Sequence, residues 1–364
     1  MAIDRRRAMG LFGGLLAGLG LGRPARAAGP EGFLACARMP DGAHVLARLD
    51  RAGATVRSWA LPERGHAMAV APDHSQVVVI ARRPGTYGLA IDLAGTRDPV
   101  AFEAPDGRHF EGHGAFSPDG RRVFIAENAY EEDGRSAVGI YDATAGFARV
   151  GEYSGGGIGV HELILSADGR SILIANGGVR THPDFPRLEL EPDAMEPSVV
   201  ILDAATGVET ARFDAPAELR RLSLRHMALD ARGTIWIGAQ WRGNVADDVP
   251  MIARVSAADG LRYVVLDAAS RRGFKGYIGS AAADPSGRYI AFSSPVGGQI
   301  TLVDSETEKV VGEARLPDGC GVAPFADRTI LVTSGLGAVE TLAPGSSRLI
   351  ATSAIAWDNH MRAV

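Results

Sequence analysis

The sequence predicts an all-β fold, a seven-bladed β-propeller closed by its own C-terminal strand joining the N-terminal blade. Three observations carry that prediction. From about residue 30 onward, Val-, Ile- and Leu-rich runs alternate with Gly, Asp and Pro turns, and no amphipathic helical stretch of convincing length interrupts them. Two turn signatures recur in a fixed order. The repeat they define spans roughly 40 to 50 residues, the period of a four-stranded propeller blade.

The first signature follows an Ala-rich strand: Pro72-Asp73, Pro118-Asp119-Gly120, Ala167-Asp168-Gly169, Ala231-Arg232-Gly233 and Pro285-Ser286-Gly287, with Phe325-Ala326-Asp327 as a degraded copy. The second closes a later strand, at Asp50 to Gly53, Asp92 to Gly95, Asp142 to Gly146, Asp203 to Gly207, Ala257 to Gly260 and Asp304 to Glu306. Aspartate opens such turns because its carboxylate caps backbone N–H groups two residues on, and glycine takes the left-handed position. Inner strands beginning at His66, His113, His161, His226, Ser280 and Cys320 give six units. The seventh is split: Phe33 to Met39, His44 to Asp50 and Thr55 to Trp59 supply three strands, and Trp357 to Val364, carrying His360, supplies the fourth. Pairing the two pieces closes the ring and removes free sheet edges. Six or eight blades are the neighbouring counts, and a sandwich does not repeat its turn chemistry at a fixed interval.

Residues 1–27 are read apart from the fold, as a cleaved export signal, with residues 28–364 forming a single propeller domain. Arg5-Arg6-Arg7 precedes a short Gly-rich apolar run from Gly10 to Gly22, and Ala25-Arg26-Ala27 is a small-x-small cleavage site. The paired arginines are similar to a twin-arginine signal, which exports folded proteins; the general secretory route is the alternative. The apolar run is shorter than the ~20 residues of a spanning helix, so no membrane association is expected after cleavage. The whole chain carries a formal charge of -5, and residues 1–27 hold five arginines against Asp4, which leaves the remainder at -9. Such a charge argues against nucleic acid or anionic lipid as partner. Cys36 and Cys320 permit one disulfide at most.

Five of the nine histidines, His66, His113, His161, His226 and His360, occupy nearly the same point of the repeat. In a propeller the inner strands all begin around one mouth of the channel, so these side chains are expected to converge. Neutral imidazoles suit copper, zinc or iron, because each offers one lone pair and binding competes only with a proton of pKa near 6.5. Cys320, His182 and Met68 are further candidate ligands, although thioethers more often fill cores. Structural or substrate-contacting histidines are the alternative. One irregularity stands out: His66 and His161 lie six residues before the turn, and His113 and His226 five. A bulge absorbs that slip, or the set splits into two groups.

Loops between second and third strands share the face of the histidines. The longest, Gly177 to Pro197, carries His182, Asp184, Glu189, Glu191, Asp193 and Glu196; Glu127 to Arg135 and Trp241 to Val249 add Glu131, Glu132, Asp133, Asp247 and Asp248. They are expected to focus cations or to serve as a solvated rim. His44, His74 and His109 are read as surface residues. No nucleophile elbow, phosphate-binding glycine loop, HExxH or CxxCH motif is present.

The twin-arginine-like start, His113 to Gly120, Val160-His161-Glu162-Leu163 and the closing Trp357-Asp358-Asn359-His360-Met361 together resemble a family of exported bacterial propeller proteins. Members of that family tend to be encoded beside imelysin-type and di-haem proteins of periplasmic iron handling. The resemblance implies a periplasmic location and an iron or copper context. A more distant likeness is to nitrous oxide reductase, whose propeller gathers histidines around a copper cluster; this chain lacks that enzyme's second copper domain. Three functions stay open: a periplasmic protein binding a copper or iron ion, a metal-free scaffold docking an imelysin-type or di-haem partner, and a lactonase-like metal-dependent hydrolase.

Overall fold

The computed structural model describes residues 30–185, 188 and 190–364. The export-signal reading of residues 1–27 and the acidic Glu189 lie outside the described residues. The rest form seven antiparallel four-stranded sheets arranged as a propeller. Six blades are continuous in sequence, and blade one is the split unit, with Ala356–Ala363 pairing Phe33–Arg38. Backbone bonds from the Val364 and Gly32 amides, each to the other's carbonyl at 2.9 and 3.0 Å, finish the seam.

The turns form for the reason their composition gives. Asp119 accepts the Ser117 hydroxyl and the Arg121 amide, and Asp168 accepts the Ser166 hydroxyl and the Arg170 amide. Asp284 accepts the amides of Ser286, Arg288 and Tyr289. The second signature repeats the device at Asp50, Asp142 and Asp203. With each hairpin pinned, the alternating apolar residues fall on both sheet faces, because every blade is covered by a neighbour. Trp236 is fully buried between blades and reaches Asp230 with its indole N–H at 3.1 Å. At the seam, Phe33, Ala35, Trp357 and Met361 share one core cluster with Cys320 and Leu331 of blade seven.

The inner strands differ from the sequence reading in one respect. His66 and His161 are the second residues of their strands (Gly65–Val70 and Val160–Leu165), but His113, His226 and His360 are the fifth of theirs (His109–Phe116, Leu222–Leu229 and Ala356–Ala363). A β-bulge interrupts each of these strands next to its histidine. In blade four the register shifts across His161; in blade five it shifts across Arg225, just before His226. The bulges absorb the one-residue slip and aim all five side chains at the axis. The inner strand of blade six, Ser280–Ala283, has neither histidine nor bulge.

Deleting residues 356–364 is expected to abolish a cooperative thermal transition, because it strips one edge of Phe33–Arg38 and removes Trp357 from the seam core. Trp357→Ala alone should cost about 3–5 kcal/mol in chemical denaturation. A truncated chain that melts cooperatively near the full-length Tm would contradict closure by the C-terminal strand.

Candidate metal centre

All five histidines are buried, none more than 8% exposed. Their rings form one cluster. His113 lies 5.1 Å from His66, 5.3 Å from His161, 5.7 Å from His226 and 4.6 Å from His360, centroid to centroid. His360 also meets His66 at 4.6 Å and His226 at 5.0 Å, and His161 meets His226 at 4.7 Å. Gly112 makes room for this crowding: its φ is +92°, and a Cβ there would stand 2.5 Å from the His66 ring.

Two trios, His66/His113/His360 and His113/His161/His226, each present ligand nitrogens within 4.8 Å of one another. The Nε2 atoms of His161 and His226 are 3.4 Å apart. Metal–nitrogen bonds of 2.0–2.1 Å place tetrahedral ligands about 3.3 Å apart, so that pair already has the separation a shared ion requires. Nε2 of His113 and of His360 has no hydrogen-bond partner among the described residues. A buried polar atom left unpaired costs about 1–3 kcal/mol, which a coordinated ion would relieve.

Two buried carboxylates stand behind the imidazoles. Asp358 lies 3.4 Å from His66 Nδ1, and Glu162 lies 3.3 Å from His113 Nδ1 and 3.8 Å from His226 Nδ1. Glu162 also accepts the Met227 amide at 2.7 Å, and Arg64 and Arg362 approach the two carboxylates from outside. At 3.4 and 3.3 Å, Asp358 and Glu162 are placed to favour the tautomers of His66 and His113 that leave Nε2 free for a metal, whereas 3.8 Å is too long for a hydrogen bond from His226 Nδ1. His360 Nδ1 instead faces the Ser280 hydroxyl at 3.4 Å.

Burial pushes the His66 pKa down to about 4 even though Asp358 opposes the shift. Burial also holds His161, His226 and His360 well below the ordinary value, with Arg225, His113 and His66 respectively adding the largest repulsion. Burial alone would raise the carboxyls of Asp358 and Glu162, but His66 with Arg64, and His113 with Arg362, outweigh it and keep both low. Neutral imidazoles and ionised supporting carboxylates are the protonation states that metal ligation uses.

The remaining candidates lie elsewhere. Cys320 sits in the seam core, its thiol against the carbonyls of Thr333 and Trp357 at 3.5 and 3.4 Å, and burial pushes its pKa up to about 12. Cys36 packs in a different cluster, and both cysteines are free. Met68 is fully buried among Leu34, Leu46 and Val79, as a packing residue. His182 lies on the long loop of blade four, its Nδ1 accepting the Asp184 amide at 3.2 Å and its ring against Tyr130.

Two expectations are corrected. His109 is not a surface residue: it is 1% exposed, stacked on Tyr130 with Nδ1 beside the Phe110 carbonyl, because the inner strand of blade three starts four residues earlier than its histidine. Among the described residues, most of the acidic loop side chains are paired rather than left free to focus cations. Glu132 pairs with Arg108 and Arg135, Asp133 and Glu191 with Arg180, Asp193 with Arg221 and Asp248 with Arg271, while Asp247 accepts the Trp241 indole. Their charges serve to fix the loops. The sequence reading also missed Glu162, Asp358 and Arg225, whose signal is a charged residue one or two positions from a histidine in an otherwise apolar strand.

The imidazoles make stability depend on pH. An unfolded histidine takes its proton near 6.5, whereas buried His66, His161, His226 and His360 refuse it until lower pH, so the unfolded chain binds more protons between those values. Metal-free protein should therefore lose stability as pH falls from 6.5 toward 4. Replacing His66 with Asn should flatten the profile by about 1.4 kcal/mol per pH unit across that window. Parallel Tm-versus-pH curves for the two proteins would refute neutral burial of His66.

No curated protein matches the chain in sequence. Among solved structures, hydrazine synthase of Kuenenia stuttgartiensis is similar, with a TM-score of 0.63 at 15% identity, over 90% of this chain and 99% of that one. At that identity the likeness concerns the propeller fold alone. The family described as "Protein of unknown function (DUF1513)" matches residues 59–364, from the end of the first three strands through the closing strand with His360, and the chain belongs to it.

Proposed function

We propose that this is a periplasmic metal-binding propeller that holds copper or iron through His66, His113, His161, His226 and His360, in metal uptake or redox handling. One observation carries the reading: five buried imidazoles from five blades meet as two trios with ligand atoms within 4.8 Å. Export through the twin-arginine route rests on the composition of residues 1–27 and brings the site to a compartment where such ions are handled. Because His113 belongs to both trios and its Nδ1 faces Glu162, its single free nitrogen serves one ion at a time. One tightly held ion per chain follows. The arrangement favours imidazole ligation over a lactonase-like centre, since Glu162 and Asp358 are engaged by histidine Nδ1 atoms and arginines.

A second reading has its own support. Phe185, Leu188, Val245, Val296 and Leu336 are each more than half exposed on loops of the histidine face. They suit a metal-free scaffold that docks an imelysin-type or di-haem partner there.

Elemental analysis of protein exported by its native host separates the two. About one copper or iron per chain is expected; His161→Ala should leave the His66/His113/His360 trio and part of the metal, whereas His113→Ala should remove most of it. Equal metal content in the native protein and a His113→Ala/His161→Ala double variant sinks the ligand assignment and leaves the scaffold.

A further inference from the structure

Directly over the histidines the mouth opens into a cavity of about 470 Å³ lined by Arg82, Arg83, Arg225 and Arg242. It adjoins the cluster through the chain itself, since Arg225 precedes His226 and the lining residue Asn359 precedes His360. Arg225 is the telling member. It is 6% exposed, and its one hydrogen bond among the described residues runs from Nε to the Ser223 hydroxyl at 3.3 Å. No carboxylate pairs with it among the described residues, and it lines the cavity. Arg83 has one carboxylate in reach, Glu111 at 4.0 Å, too long for a bidentate pair.

A buried guanidinium with no carboxylate within 4.0 Å among the described residues, attracted only from farther off by Glu111 and Tyr277, is costly, and repulsion from Arg242 and Arg83 raises that cost. The arrangement is stable in use when an anion completes it. The cavity is larger than an inorganic oxyanion fills, and its wall is mixed: Gln240, Tyr277 and Asn359 offer polar groups, Leu188, Pro295 and Val296 apolar surface. Planar forked donors match carboxylates, and the apolar wall matches a carbon skeleton. We propose that this vestibule binds a small organic polyanion bearing two or more carboxylates, with Arg225 and Arg83 as its principal anchors. The site does not require an ion on the imidazoles.

The test is isothermal titration calorimetry of chelator-treated, metal-free protein with citrate, with acetate as a monovalent control and inorganic phosphate as a second arm. Citrate is expected to bind one per chain, at least tenfold tighter than either control, and to weaken as salt rises. Arg225→Gln and, as the more exposed site that spares folding, Arg83→Gln should each weaken citrate at least fivefold while far-ultraviolet circular dichroism stays unchanged. Absence of citrate binding, phosphate binding as tight as citrate, or citrate binding unaffected in a folded Arg83→Gln protein each overturns the proposal. Because metal is absent throughout, failure here leaves the histidine reading untouched.

Discussion

Antiparallel pairing between Phe33–Arg38 and Ala356–Ala363 is the contact on which everything else in the molecule depends. A propeller blade is a twisted sheet with apolar residues on both faces, and it is stable only when each face has a neighbour. Without the final strand, blade one keeps three strands and an open edge, and blade seven loses the cover that Trp357 and Met361 give it. The same strand carries Asp358 and His360. Closing the ring therefore supplies the seam core, one supporting carboxylate and an imidazole in contact with three others at a single stroke.

Placing five imidazoles on the axis of a tightly packed fold runs against ordinary packing. Bulges make it feasible by taking residues out of the ladder and turning them inward, at the expense of regular pairing at the mouth of five blades. Electrostatics then sorts the layers. Glu162 and Asp358 lie beside the rings, Arg64 and Arg362 stand outside the carboxylates, and the arginines of the vestibule lie above. His66 stays neutral because burial outweighs the pull of Asp358, and at His161, His226 and His360 the neighbouring rings and arginines reinforce burial.

The architecture was legible because its determinants are local. Asp-x-x-Gly and Pro-Asp-Gly turns state their geometry in a few residues, and Asp119, Asp168 and Asp284 make the caps their positions imply. The histidine series was legible for the same reason, being tied to those turns. What escaped was what the bulges do to individual side chains: that Arg225 faces the cavity while His226 faces the axis, and that His109 is buried, depend on where each register shift falls, which the one-residue slip in histidine spacing does not specify. The acidic loops misled because net charge in a segment says nothing about its partners. Arg108, Arg180 and Arg271, scattered through the sequence, neutralise them in space.

The position of His360 on the closing strand also sets an order of assembly. As the chain emerges from N to C terminus, four imidazoles can be gathered by neighbouring blades, but the fifth arrives with the last hairpin partner. An ion held by the His66/His113/His360 trio would therefore arrive only after closure and would bridge the seam to blades two and three, whereas the His113/His161/His226 trio is complete without the closing strand. Such a bridge would act as a latch, since opening the ring would then require breaking coordination bonds as well as a strand pair. A chain threaded through a membrane unfolded would acquire its latch on the far side, and one carried across folded would cross with it already fastened.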